Sequence, residues 1–159
     1  MLILILVIIM KNKDYIILEI IPTSSNPSNG SIIQLSALKL QGLKLIERFD
    51  YRLKDEFLPI KEMKSWIDYD IESFTYVDSD KIILEDFSKW ANDLPILIID
   101  NIYTPLYLSK LNNCLEFIYD YLDLEYSDYL IDEIIKKYHL QPSNYIVDLL
   151  YEALIIHYQ

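Results

Sequence analysis

The stretch YIILEIIP, residues 15–22, decides the fold. Apart from Glu19 it is apolar at every strand position, which is typical of a β-strand buried on both faces in the middle of a sheet. Pro22 ends the strand, and the Pro, Thr, Ser, Asn and Gly residues of 22–31 predict a loop. A second wholly apolar run, ILII at 96–99, predicts another buried strand. Two such strands indicate a central sheet that helices cover on both sides.

The rest of the chain predicts an α/β domain with a mixed sheet. Residues 32–40 and 43–53 flank Gly42 and predict a hairpin, which extends the first strand into a three-stranded antiparallel meander. Residues 54–79 are acidic without a clear period, and we expect a loop with a short helical piece there. The predicted helices are 80–92, 104–121, 127–139 and 143–157. We therefore expect a meander with added parallel strands, flanked by helices.

Composition limits the functions that fit this chain. It has 159 residues, of which 52% are hydrophobic and 25% charged, so it is globular rather than disordered. With 25 acidic and 14 basic side chains, the net charge is −11, which repels phosphate backbones and favours a protein partner over nucleic acid. Cys114 is the only cysteine, so no disulfide forms within the chain, and we expect a reducing, cytoplasmic setting. His139 and His157 are the only histidines and make no histidine-rich metal motif.

The N-terminal run at residues 2–10 is apolar, but its pattern fits neither a membrane-spanning helix nor a signal peptide. A membrane-spanning helix needs about 20 residues. A signal peptide begins with basic residues and ends in small ones, and neither feature is present. We expect translation to begin at Met10, so that 10–159 is one domain and 1–9 is an extension. The alternative is an additional buried or edge strand, and in neither case do we expect association with a membrane.

Seven stretches, taken in order, resemble the DEDD superfamily of 3′–5′ exonucleases, of the proofreading-subunit type with a ribonuclease H-like fold. They are YIILEIIPTSS (15–25), SIIQLSALKL (31–40), IERF (46–49), WID (66–68), EDF (85–87), ILIIDN (96–101) and YHLQPSNYIVD (138–148). The resemblance covers about residues 10–158 and rests on element order and apolar pattern more than on any single motif. It implies a single exonuclease-like domain with a ribonuclease H-like α/β fold.

The resemblance also implies a site at which most of the chemistry is replaced. Members of this family hold two divalent metals, typically Mg²⁺, with four acidic residues, and a general base, often His, activates water. In chain order, the family positions fall on Glu19, Ile21, Pro105, Ser143 in place of the base, and Asp148. Only Glu19 and Asp148 keep a carboxylate, so they are the two candidate metal ligands that the resemblance implies.

These replacements favour a domain that binds rather than cleaves, so we lean against an enzyme and expect no cofactor, with Mg²⁺ or Mn²⁺ only if activity remains. One alternative is a metal-dependent 3′–5′ exonuclease with substituted ligands, among which Asp100 is a candidate. That alternative requires at least three carboxylates near Glu19 and Asp148. Another is a non-cleaving binder of single-stranded nucleic acid.

If Glu19 has no function, we expect it to face solvent or to be paired, because an isolated buried carboxylate is costly. Asp148 would then lie on a polar helix face. The oligomeric state is left open.

Overall fold

Six strands form one mixed sheet in the computed structural model, which describes residues 13–54, 74–142 and 146–159. The strands are β1 (Asp14–Pro22), β2 (Ile32–Gln41), β3 (Lys44–Leu53), β4 (Thr75–Val77), β5 (Ile96–Ile98) and β6 (Leu115–Phe117). Their order across the sheet is β4-β3-β2-β1-β5-β6. Strands β1 to β3 form an antiparallel meander, whereas β4 runs parallel to β3, β5 to β1 and β6 to β5. The predicted mixed α/β architecture is confirmed.

Helices pack on both faces of this sheet and create two apolar cores. The helices are α1 (Asp80–Ala91), α2 (Thr104–Tyr107), α3 (Ile118–Tyr121), α4 (Leu130–Tyr138) and α5 (Ile146–His157). One core lies between the sheet and α1 with α2, and the other between the sheet and α3, α4 and α5. Strand β1 contributes side chains to both cores: Ile17 packs in the core under α5, whereas Ile16 and Leu18 pack in the core under α1. Among the described residues, no helix is long and apolar enough to cross a membrane.

The single helix predicted over 104–121 is wrong. Helices α2 and α3 have four residues each, and between them Leu115–Phe117 forms β6 beside β5. The backbone N–H of Ile96 donates to the carbonyl of Cys114 at 2.9 Å, which joins the two strands. Three residues are too few to show a period that separates a strand from a helix, so the partner strand decides their conformation.

A second difference concerns residues 54–79, where a loop and a helical piece were predicted. Thr75–Val77 instead forms the edge strand β4 on β3. Residues 55–73 of that segment, including the stretch at 66–68, lie outside the described residues, as do residues 1–9, the proposed start at Met10, and Ser143. The predictions made for those positions stay predictions.

Candidate functional site

Three polar side chains form a row across the meander. Glu19 on β1 is the direct partner of Ser36 on β2, and Ser36 is the direct partner of Asp50 on β3. Direct partners in a sheet point to the same face, here the face that α5 covers. Glu19 is only 2% exposed, because β1 lies in the middle of the sheet. A solvent-facing position for Glu19, one of the two expected, is therefore wrong.

A β-bulge brings Asp50 into this row. Near the turn, Gln41 pairs with Lys44 and Leu40 with Leu45, but the register shifts between Lys39 and Leu40. Without that shift, the residue opposite Ser36 would be Phe49, and Asp50 would point to the other face. The extra residue on β3 thus turns the polar side chains of the strand toward Glu19 and the apolar ones toward α1.

Arg48 connects the row to helix α5. It lies two residues before Asp50, hence on the same face of β3. Its Nε donates to Asp50 Oδ2 at 3.1 Å, its Nη1 to Asp148 Oδ1 at 2.6 Å and its Nη2 to Asp148 Oδ2 at 3.4 Å. The exposed fraction of the side chain rises from 9% for Asp50 to 32% for Asp148 and 36% for Arg48. We call Glu19, Ser36, Arg48, Asp50 and Asp148 the acid cluster; its buried end is Glu19 and its open end is the Arg48–Asp148 pair.

Burial and charge set the protonation states in the acid cluster. Burial, with smaller contributions from the charges of Asp50 and Asp148, raises the pKa of Glu19 to about 8. Glu19 therefore keeps its proton in most molecules at neutral pH. Burial lowers the pKa of Arg48, but its hydrogen bonds to Asp148 and Asp50 outweigh that effect and the pKa is raised overall. The guanidinium of Arg48 thus lies between the carboxyl groups of Asp50 and Asp148.

Several buried oxygens of this face have no hydrogen-bond partner among the described residues. They are Glu19 Oε2, Ser36 Oγ, Asp50 Oδ1, the nearby Gln34 Oε1 and the hydroxyl of Tyr15 near the start of β1. Gln34 lies two residues before Ser36 on β2, so it shares that face. A buried oxygen without a partner costs free energy, which a proton, a water molecule or a cation would recover. Oxygen donors of this kind suit hard cations.

The family positions are occupied in different ways. Glu19 and Asp148 keep their carboxyl groups, and the charge of Asp148 is the smallest of the three contributions that raise the pKa of Glu19. Ile21 is fully buried and apolar, and Pro105 lies in the first turn of α2, so neither offers a ligand. Within the part of the chain that the structure describes, no group of three or more His, Cys, Asp or Glu side chains is arranged to hold a metal ion. Metal binding by Glu19 and Asp148 stays a prediction.

Asp100, considered above as a substitute metal ligand, has a structural role at the start of α2. It is buried at the end of β5, and its Oδ1 accepts hydrogen bonds from the backbone N–H groups of Ile102 at 3.1 Å, Tyr103 at 2.8 Å and Thr104 at 3.0 Å. Its Oδ2 accepts from the Thr104 hydroxyl. These bonds satisfy donors at the start of α2. The carboxylates that act on Glu19 are Asp50 and Asp148 instead.

Sequence reasoning missed Ser36, Arg48 and Asp50 as members of a site. The available signal was alternation along β3, where charged residues at 48, 50 and 52 alternate with Phe49, Tyr51 and Leu53. That pattern places the charges on one face of a strand. It does not say that this face is the one carrying Glu19, because the bulge decides that.

Comparisons with known proteins show similarity in fold but not in sequence. No protein-family model matches the chain, and no curated protein sequence matches it. Among solved structures, it is similar to the zinc-bound form of the complex between E. coli ExoI and single-stranded DNA, with a TM-score of 0.57 and 13% sequence identity. The chain has an exonuclease-like fold. The match covers 92% of this chain but 40% of that one, so the chain spans less than half the length of the protein that it resembles.

Proposed function

We propose that this exonuclease-like domain acts by binding rather than by cleaving nucleic acid. The observation that carries the proposal is the contact between Arg48 and Asp148. By resemblance, Asp148 stands at the last metal-binding acid of the family. Both of its oxygens accept hydrogen bonds from a guanidinium, and such bidentate pairs are among the stronger ionic contacts in proteins. A metal ion would have to displace Arg48 to use Asp148.

The other family positions support the same conclusion. Catalysis by two metals needs ionised oxygen ligands on both ions, and Ile21 and Pro105 supply none. Glu19 offers a neutral carboxylic acid at neutral pH, because burial raises its pKa to about 8. Metal ligands must be deprotonated, so binding a metal at Glu19 would also require the loss of that proton.

For the partner, we propose a protein. The net charge of −11 opposes contact with a phosphate backbone. Ile102, which precedes α2 by two residues, and Leu106 within α2 are large apolar side chains that remain more than half exposed. Exposed apolar side chains of this kind fit a protein interface better than a nucleic-acid interface.

A nuclease assay tests the loss of catalysis. The substrate is a 3′-labelled single-stranded oligonucleotide, with Mg²⁺ and then Mn²⁺, and the proteins are wild type, Asp148→Ala and Glu152→Ala. Glu152 lies one turn further along α5 and is exposed, so its variant controls for changes to that helix and for contaminating nuclease. We expect no cleavage by any of the three at high protein concentration. Cleavage by wild type and Glu152→Ala that disappears in Asp148→Ala would overturn the proposal.

One observation favours a second candidate, the metal-dependent exonuclease with substituted ligands. The charge of Asp50 acts on Glu19 together with that of Asp148, although no three acidic side chains among the described residues are arranged to hold a metal ion. It predicts cleavage that is lost in Asp50→Asn as well as in Asp148→Ala. If neither variant changes a measured activity, that activity does not come from the acid cluster.

Single-strand binding without cleavage is a third possibility, since the similar ExoI structure is a complex with single-stranded DNA. It predicts binding that weakens steeply with added salt, because phosphate contacts release counterions. Fluorescence anisotropy with a labelled oligonucleotide at low salt measures it. For a protein-binding module we expect no binding there.

A further inference from the structure

Aromatic and apolar side chains reach the surface beside the edge strand β6. Tyr129, the residue before α4, is 72% exposed, and Ile102, which follows β5, is 54% exposed. Neither side chain belongs to one of the two apolar cores. Large exposed side chains of this kind gain free energy when another surface covers them.

A hydrogen bond and ring contacts connect these two side chains. The side chain of Asn101, which precedes Ile102, hydrogen-bonds the hydroxyl of Tyr119. The ring centroids of Tyr119 and Tyr126 lie 5.6 Å apart, and Tyr129 follows Tyr126 after two residues. Tyr126 is half-buried, so part of its ring also reaches the surface. We call Ile102, Tyr126 and Tyr129, with the buried Tyr119 that links them, the tyrosine surface.

The segment that carries these tyrosines is acidic and has no basic side chain. Between Lys110 and Lys136 there is no Lys or Arg, whereas seven acidic residues occur. One of them, Glu116, pairs with Lys13. The other six are exposed, and within the described part of the chain none of them forms an ion pair with Lys or Arg: Asp120, Asp123, Glu125, Asp128, Asp132 and Glu133. Uncompensated negative charge attracts a basic partner and repels nucleic acid.

The arrangement of rings and acids specifies the partner further. Each tyrosine has an acid beside it in the chain, in the pairs Tyr119–Asp120, Glu125–Tyr126 and Asp128–Tyr129. A guanidinium is attracted by a carboxylate and by the face of an aromatic ring, so such pairs suit Arg side chains. An apolar side chain of the same partner would cover Ile102.

We propose that the tyrosine surface is a docking site for a basic segment of a partner protein, with Arg side chains at Tyr126 and Tyr129 and an apolar side chain against Ile102. This rests on the proposed function, because it names the kind of protein that the domain binds. It goes further by assigning the contact to residues outside the acid cluster.

Fluorescence anisotropy with three labelled peptides tests this proposal. The first peptide contains Arg and Leu separated by Ser, the second has Glu in place of Arg, and the third has Ser in place of Leu. The protein variants are Tyr129→Ser and Asp128→Asn, with Ile82→Ser and Asp93→Asn as matched controls. Ile82 is 36% exposed on α1 and Asp93 is exposed just after that helix, which packs on the other face of the sheet. The controls therefore make comparable changes away from the tyrosine surface.

We expect wild type to bind the Arg–Leu peptide at low salt and not to bind the Glu–Leu peptide. Tyr129→Ser and Asp128→Asn should each weaken binding of the Arg–Leu peptide about fivefold, because each removes one attraction for a guanidinium. Ile82→Ser and Asp93→Asn should leave it unchanged. The peptide with Ser in place of Leu should bind more weakly than the Arg–Leu peptide.

The proposal is overturned if the Arg–Leu peptide does not bind at low salt, or if the Glu–Leu peptide or the peptide without Leu binds equally well. It is also overturned if the control variants weaken binding as much as Tyr129→Ser and Asp128→Asn do. Binding of a labelled single-stranded oligonucleotide that Tyr129→Ser weakens would overturn it in favour of nucleic acid.

Circular dichroism checks that the variants fold, and if Tyr129→Ser does not, the comparison of Asp128→Asn with Asp93→Asn decides. Failure of peptide binding leaves the result of the nuclease assay untouched. Cleavage by wild type that depends on Asp148 would overturn the proposed function, whatever peptide the tyrosine surface binds.

Discussion

The guanidinium of Arg48 meets both carboxylate oxygens of Asp148 across 100 residues of sequence, at 2.6 and 3.4 Å. This contact ties the first turn of α5 to β3, and Arg48 Nε also donates a hydrogen bond to Asp50 Oδ2. Through it, the acid that most resembles an exonuclease ligand is already paired within the protein. The apolar side chains of α5 pack in the core on this face of the sheet, the face on which Glu19 lies.

The Arg48–Asp148 pair can be measured by a double-mutant cycle with Arg48→Met and Asp148→Asn. Both side chains are about one-third exposed, at 36% and 32%, so solvent screens the pair considerably. We expect a coupling free energy of about 1 kcal/mol at low salt, decreasing as salt is added. Urea unfolding of the four proteins measures it. A coupling near zero at low salt would show that the contact does not stabilise the protein.

Glu19 should make stability fall with rising pH. Its pKa is about 8 in the native protein and near 4.5 in the unfolded chain, so between these values the native state holds a proton that the unfolded chain has released. The free energy of unfolding then decreases by up to about 1.4 kcal/mol per pH unit in that window and levels off above it. The charges of Asp50 and Asp148 act on this proton in addition to burial.

Glu19→Gln removes that dependence, because a neutral amide cannot release a proton. We expect the variant to gain stability over wild type steadily from pH 5 to pH 8, measured by urea unfolding at each pH. Other acids titrate in both proteins and cancel in the difference. Parallel pH curves would mean that Glu19 is ionised in the native state.

The cap made by Asp100 predicts a difference between two substitutions. Asp100→Ala leaves the N–H groups of Ile102, Tyr103 and Thr104 without their acceptor, which we expect to cost about 2–3 kcal/mol. Asp100→Asn keeps Oδ1 as an acceptor, so the loss should be at most half as large. Chemical unfolding compares the two. Equal losses would contradict the capping role.

We predict that replacing Gly30 by any residue with a side chain destabilises the protein. A Cβ there would lie 2.5 Å from the Tyr107 hydroxyl oxygen and 2.7 Å from the Cβ of Ser24. The hydroxyl cannot move away cheaply, since it donates to the Ser24 carbonyl at 2.7 Å. Overpacking of this kind costs about 1–3 kcal/mol, so Gly30→Ala should lower the melting temperature while exposed Ser28→Ala in the same loop should not.

Tyr107→Phe provides an independent check, because it removes the closest clashing atom. We expect Tyr107→Phe to reduce stability less in the Gly30→Ala background than in wild type. The contact with Ser24 remains, so full recovery is not expected. Additive effects of the two changes would contradict the predicted clash.

Much of the fold could be predicted because the longer elements carry their pattern locally. Strands β1, β2 and β3, helix α1 and helix α5 lie close to their predicted bounds, and each has enough residues to show a period. The exceptions are β4 and β6, with three residues each. Their conformation comes from hydrogen bonds to β3 and β5, which lie far away in sequence.

By itself, the sequence determined that Glu19 interrupts a strand apolar on both faces, and the resemblance implied that Ile21 and Pro105 stand at positions where the family has acids. Only the tertiary structure decided what surrounds Glu19. Alternation along a strand assigns side chains to faces, but the register assigns partners, and here a bulge moves Asp50 rather than Phe49 opposite Ser36. Packing of α5 onto the sheet then brings Asp148 to Arg48.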